Sequence, residues 1–308
     1  MEKKYEFTDE TLEHNGHILH RIKALMDFGN VKAGELGGWI EKEENLSHEG
    51  DCWVYGDAKV FGNARVFGCA KVYGDAWVSD DAMVFDNARV FSCAQVYGNA
   101  RVSDEAMVFG NARVFGCAQV YGKARVCADT SVCGKALVYD NARVYGNARV
   151  SDDAWVYGNA RVYGNAQLCG NTYVSDYSEV YDNAWVYGNA TVYGCAKVYG
   201  KALVHGNAQV YGGAEVYGYA RISGNAEVKE MGDYMVFQNT WSSGRLFTWT
   251  RSNDKWSVGC FYGTGEELIE KAYKDSKEKG DYYKLFVELV EKGKEVRRKY
   301  DRIDTLAL

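Results

Sequence analysis

From Val54 to Glu227, apolar and polar positions recur every six residues with no insertion or deletion, as in Val156-Tyr157-Gly158-Asn159-Ala160-Arg161. Within each Ala-x-Val-Tyr stretch, strand alternation points Ala and Val to one side, and the variable residue and Tyr to the other. The Gly-Asn pair predicts a corner, because Gly takes positive φ freely and Asn or Asp visits the left-handed region most readily among the rest. Three such strands and corners close an 18-residue triangular coil. The run contains 29 hexads, with Val first in 27 and Ala fifth in 26; Thr130, Thr172 and Ser178 stand in for Ala. This predicts one solenoid of about ten coils, on the order of 45 Å long at a strand spacing of about 4.8 Å. Its interior is a narrow stack of Val and Ala with no room for a ligand, which leaves binding to the outer faces, the ends or an interface between protomers.

The hexads resemble those of hexapeptide-repeat left-handed β-helix proteins, which carry an aliphatic residue first and a small residue fifth, and the likeness covers the whole array. Left-handedness is implied by that resemblance, since the period alone does not fix it; a right-handed parallel β-helix, with longer and less regular coils, is the alternative. Val31 to Ile40, with Asn45-Leu46-Ser47 and Gly50-Asp51-Cys52-Trp53 after it, resembles the N-terminal cap of an uncharacterised bacterial and phage branch of that family. Members of that branch are labelled acyltransferases or polymer-forming proteins. The fold expected is therefore an all-β left-handed parallel β-helix with an N-terminal β cap and a small C-terminal α+β module.

Residues 1–53 break the period. Tyr5 to Leu12 and Ile18 to Leu25 are expected to form a hairpin through Asn15-Gly16, the usual signal of a tight turn. The β-helix occupies residues 54–228. Residues 229–308 change to mixed strands near Tyr234–Thr240, Leu246–Arg251 and Lys255–Phe261, then two helices. Thr264-Gly265-Glu266-Glu267 reads as a capping box for the first helix, and Asp281 as the cap of the second. The apolar stripe of the second helix is Tyr282, Leu285, Phe286, Leu289, Val290, Val296 and Tyr300.

Stepping 18 residues along the chain sorts the outward positions onto three faces. The first carries an aromatic ladder from Tyr55 to Tyr217 that includes Tyr145 and Tyr163 and is interrupted at Cys127; beside it run Arg125, Arg143, Arg161 and Lys197 among other residues. A cationic row next to an aromatic row suits a small anionic ligand, through charge and stacking. The competing reading is structural, with rings packing on like neighbours under the stems of the arginines. The second face gathers Leu137, Tyr139, Trp155, Tyr157 and Tyr173 with few charges, which suits a subunit interface. Left-handed β-helix proteins are often trimers packed through flat sides, so the resemblance implies a homo-oligomer, a trimer in particular. The third face is mixed and holds His205.

A net charge of −6 argues against nucleic-acid binding by the whole surface, and no apolar run is long enough to span a bilayer. No leader precedes Tyr5, and nine cysteines, an odd number without stacked neighbours, suggest free thiols; a soluble cytoplasmic protein is expected. Acyltransferases of the resembled family use an interface histidine, often with an extruded loop. Here the array has no loop, and its one histidine is His205. His14, His17, His20 and His48 sit in the cap without metal-ligand spacing, and the Asp80-Asp81, Asp104-Glu105 and Asp152-Asp153 corners read as solvated turns. Neither metal nor cofactor is expected.

The repeat falters at Val126-Cys127-Ala128-Asp129-Thr130-Ser131 and Leu168-Cys169-Gly170-Asn171-Thr172-Tyr173, where departures from local rules are places to look for function. The expected function is a non-catalytic binding or scaffold protein that oligomerises and displays aromatic, partly cationic faces to a small anionic ligand or a protein partner, with a phage or mobile element as its origin. The alternatives are a protein that sequesters a nucleotide or similar anionic signal, and a hexapeptide acyltransferase.

Overall fold

The computed structural model describes residues 2–306. From Trp53 onward, two-residue strands such as Arg125–Val126, Arg143–Val144 and Arg161–Val162 stack in parallel, each pairing with the strands 18 residues before and after it. The strands sort into three parallel faces, the walls of a triangular β-helix. Each rung is held by lateral backbone bonds, for example Arg125 N–H to Ala142 O at 2.9 Å and Cys127 N–H to Val144 O at 2.9 Å. The inward Val and Ala side chains are wholly buried and form one continuous core.

The corners follow the turn chemistry of the hexad. Its third residue takes positive φ throughout: Gly158 at 67°, but also Asp140 at 57° and Asp152 at 59°. Aspartate earns its place there by reaching up one coil. The Asp140 carboxylate accepts from Gly158 N–H at 3.1 Å and that of Asp152 from Gly170 N–H at 3.0 Å. Asp80 and Asp104 do the same toward Gly98 and Gly122. At the fourth position, Asn171, Asn189, Asn207 and Asn225 form a side-chain ladder with spacings of 3.3, 3.0 and 3.1 Å.

The N-terminal hairpin is as expected, with β1 (Tyr5–His14) and β2 (His17–Ala24) joined by Asn15 at φ 50° and Gly16 at φ 82°. β3 (Leu36–Ile40) then pairs antiparallel with β2 and parallel with Lys59–Val60, so the hairpin continues one wall of the prism. That wall has thirteen strands, including β1 and β2, while the other two have ten each. Leu46 also bridges Val66, so the cap itself supplies a first turn and the stack runs slightly past the ten coils counted from the hexads. Gly37 and Gly38 are required where β3 crosses the prism end: a Cβ on Gly38 would lie 2.6 Å from Ala58 O, and one on Gly37 2.6 Å from Ile22 and Trp53. Lys4 plugs this end, its buried ammonium donating to Cys52 O at 2.9 Å and Gly50 O at 3.2 Å.

At the other end, strands Tyr234–Gln238, Leu246–Thr250, Lys255–Val258 and Phe261–Gly263 form an antiparallel sheet. Helices α1 (Gly265–Asp275) and α2 (Lys277–Leu306) follow. Phe247, Trp256, Leu268, Tyr283, Val287 and Val290 make the core of this module. The Thr264 and Glu267 capping box is present. Asp281 does not cap α2, which begins four residues earlier: the Ser276 hydroxyl accepts from Lys279 N–H at 3.2 Å, and Asp281 instead accepts from the Tyr273 hydroxyl at 2.8 Å. The stripe is also shifted; Leu285, Leu289, Val296 and Tyr300 are exposed, because Tyr283, Val287 and Val290 face the sheet.

The module closes the open edge of the last coil with side-chain partners. Arg221 N–H donates to Thr248 Oγ1 at 3.0 Å and Glu227 N–H to Ser252 Oγ at 2.7 Å, while the Tyr234 hydroxyl donates to Glu215 O at 3.0 Å. Unpaired edges of this kind otherwise recruit other chains.

Candidate functional site: the outer faces of the helix

On the first face, Arg125, Arg143 and Arg161 lie in register on successive rungs. Arg125 and Arg143 are exposed, and their guanidinium groups make no ion pair or hydrogen bond among the described residues. Arg161 pairs with Glu179 at 3.5 Å, and Lys197 with Glu215 at 3.3 Å. Of these four, Arg125 and Arg143 thus keep a free positive charge, as do Lys71 and Arg89 further along the same row. Tyr145 stacks on Tyr163 at 4.8 Å with planes 3° apart, and Tyr163 on Tyr181 at 4.8 Å and 1°. Burial, then the Glu179 carboxylate that accepts from its hydroxyl at 2.8 Å, push the Tyr163 phenol well above its ordinary value. Inside the ladder each ring has a ring on both faces, so stacking surface for a ligand is open only where the ladder stops.

On the second face, Leu137, Trp155 and Tyr173 occupy consecutive rungs. Tyr139 stacks on Tyr157 at 5.1 Å, and the Trp155 ring contacts Tyr139 at 6.3 Å and Tyr173 at 5.3 Å. The five residues form one contiguous aromatic and aliphatic patch. Burial, then the neighbouring Tyr121 and Tyr157, push the Tyr139 phenol up to about 12, as expected of rings packed against rings.

Parts of the repeat array are similar in sequence to known proteins. A model of the YdcK beta solenoid repeat matches residues 94–114, 136–152, 142–158 and 154–170. The Uncharacterized acetyltransferase YdcK of Escherichia coli (strain K12) is 50% identical over 38 residues, which are 12% of this chain and 12% of that protein. The chain is a hexapeptide-repeat β-helix protein. The chain spans only that small part of this relative's length, so the relative's acetyltransferase name does not carry an activity over with the fold.

The histidine that this hexapeptide-repeat protein holds in its array, His205, is a rung of the third face. It stacks on Tyr187 at 4.8 Å with planes 5° apart, and its ring makes no hydrogen bond among the described residues. Burial, then the Arg221 charge, lower its pKa below the ordinary imidazole value. In the cap, His17 Nδ1 meets Glu41 at 2.9 Å and His48 stacks on Tyr5 at 4.3 Å. No group of three or more His, Cys, Asp or Glu that could hold a metal occurs among the described residues. No helix among the described residues is long and apolar enough to cross a membrane.

A cleft of about 430 Å³ in the C-terminal module has no counterpart in the sequence reading. It is lined by residues including Trp249, Arg251, Asp254, Lys294, Arg297 and Arg298. Its cations are largely committed: Lys294 pairs with Asp254 and Glu291, Arg297 with Glu230, and Arg251 with Asp233. The Lys294–Asp254 and Arg297–Glu230 pairs join α2 to the loops of the sheet, and Arg251–Asp233 ties two of those loops together, so the pairs hold the module as a unit. The only sequence signal was the run of basic residues late in α2.

Proposed function

We propose that the protein is a non-catalytic binding scaffold that self-associates through the Leu137, Tyr139, Trp155, Tyr157 and Tyr173 face, as a trimer, and holds a small anionic ligand on the first face. The observation that carries this reading is the division of labour between walls sharing one backbone: one presents a charge-poor aromatic patch, another two arginines without acidic partners. Apolar surface of that extent on one wall favours association over exposure. Paired guanidinium groups one rung apart repel each other until an anion, above all a phosphate, bridges them. Tyr145, Arg161, Tyr163 and Lys197 frame this site, with Arg161 and Lys197 partly neutralised by their glutamates.

Two measurements test the two halves. Light scattering is expected to give a mass several times the 34.5 kDa of one chain, falling to that of one chain in Trp155→Glu. A wild-type mass of one chain removes the interface. Inorganic pyrophosphate is expected to raise the melting temperature, with the rise abolished in Arg143→Ala; a flat response in the wild type removes the anion site.

The acetyltransferase name of the Escherichia coli relative favours acyl transfer as the second reading. On that reading His205 is the base, and its substitution by Ala abolishes acetyl-CoA turnover. Its stacked, half-buried position without an orienting partner supports the non-catalytic reading instead.

A further inference from the structure

The aromatic ladder of the first face has one missing rung. Phe91 stacks on Phe109 at 4.7 Å with planes 1° apart, and Tyr145 on Tyr163 at 4.8 Å, but between Phe109 and Tyr145 stands Cys127. Two rung spacings separate the flanking rings, about 9.6 Å. One planar ring placed midway would lie about 4.8 Å from each, the ordinary separation of an offset stack. Phe109 and Tyr145 each therefore present a ring face that their own ladder does not cover.

The same molecule shows what such a gap accepts. On the third face, Ser79 leaves the equivalent gap between Phe61 and Tyr97, and the indole of Trp77 fills it, stacking at 5.8 Å on Phe61 and 5.9 Å on Tyr97 with planes 14° and 11° apart. Ser79 is only 2% exposed beneath it. The residue in the position of Trp77 beside Cys127 is Arg125, whose side chain is exposed and has no ring contact. Ser103 leaves a further single gap on the second face, but there the flanking row is Met83, Arg101 and Gln119.

We propose that the gap at Cys127 is a slot for the base of a nucleoside phosphate, its ring held between Phe109 and Tyr145 and its phosphate between Arg125 and Arg143. This rests on reading the arginine row as an anion site, and adds the ring that the ligand must carry. Stacking is sequence-tolerant, since every base has a π-face, while the two guanidinium groups demand negative charge. The hexad also breaks the repeat's own rules here. Ala128 holds φ 62° without the freedom of Gly or the carboxylate of Asp, and the inward Thr130 hydroxyl is buried without a partner. Strain of this sort concentrates at functional sites.

The experiment is calorimetric titration with AMP, adenosine and pyrophosphate, using the wild type, Cys127→Ser, Cys127→Tyr and Arg143→Ala. AMP is expected to bind at least ten-fold more tightly than adenosine or pyrophosphate. Cys127→Ser, which leaves the slot open, keeps that affinity. Cys127→Tyr restores the ladder residue of the neighbouring coils, and is expected to lose at least ten-fold in AMP affinity while keeping pyrophosphate. Arg143→Ala weakens both anions. AMP affinity equal to that for pyrophosphate, or unchanged in Cys127→Tyr, overturns the slot and leaves the anion site standing. Binding of neither anion overturns both. A readout free of variants is alkylation of the wild type by iodoacetamide, resolved by peptide mass: AMP is expected to slow modification of Cys127 and not of the exposed Cys69 and Cys195, and equal rates with and without AMP overturn the proposal.

Discussion

The run from Ala142 to Val162 and the hexad from Val126 to Ser131 share a backbone and follow different rules. In the regular run every inward residue is Val or Ala with at most 1% exposure, and every third position is Gly or Asp at positive φ. In the irregular hexad, an inward Thr replaces Ala, an Ala replaces the corner Gly, and a Cys replaces the outward ring. The coil does not change shape: Ser131 and Val132 still pair with Arg149 and Val150 in register. A solenoid whose rungs are fixed by main-chain bonds tolerates local departures, because each coil answers only to its neighbours. Regularity therefore reports on folding, and departures from it report on whatever the sequence was free or forced to keep.

That comparison breaks most visibly if the irregular inward residue is moved into the regular run. Ala160→Thr places a hydroxyl in a wholly buried site and adds volume to a filled core. An unpaired buried hydroxyl and overpacking each cost about 1–3 kcal/mol, so a loss of about 2–4 kcal/mol is expected in urea denaturation. A loss below about 0.5 kcal/mol would mean that the core is looser than its burial implies, and that Thr130 signifies nothing.

The reverse exchange sharpens the same point with a smaller effect. Thr130→Ala removes a hydroxyl that has no partner and restores the residue found at 26 of the fifth positions. A gain of about 1–2 kcal/mol is expected. If the variant is instead destabilised, the Thr130 hydroxyl has a partner such as an ordered water, and the irregular hexad is held together differently from its neighbours.

How much of this was legible from sequence depends on which level carried the information. Val at the first position and Ala at the fifth made the inward stack legible, because an uninterrupted period of six puts both on the same side of every short strand, whichever way the coil winds. Asn15-Gly16 and Thr264 with Glu267 were legible for the same reason: their chemistry is local. The start of α2 was not, since Ser276 and Asp281 both offer a cap and tertiary packing of Tyr283 and Val287 decides the phase. Nor could stepping by 18 show that Trp77 leans into the Ser79 gap, or that Glu179 and Glu215 neutralise Arg161 and Lys197 while Arg125 and Arg143 stay free. Those facts depend on side-chain direction, which register alone leaves open.

The smallest expected effect separates His205 as a ladder rung from His205 as a proton carrier. Burial against Tyr187, then the Arg221 charge, hold the folded imidazole below the ordinary pKa of about 6.5 that it regains on unfolding. As pH falls through that value the unfolded chain takes up the proton first, so the stability contributed by the neutral ring is complete above about pH 6.5 and is lost below it. His205→Phe keeps a stacked ring and removes the proton site. The stability difference between wild type and variant is expected to be constant from pH 8 to 7 and then to move in favour of the variant by pH 5. The cap histidines cancel in that difference, since both proteins carry them. A difference that stays flat to pH 5 would place the imidazole in a solvated setting, with the same proton affinity folded and unfolded, and would return His205 to consideration as a base at an interface.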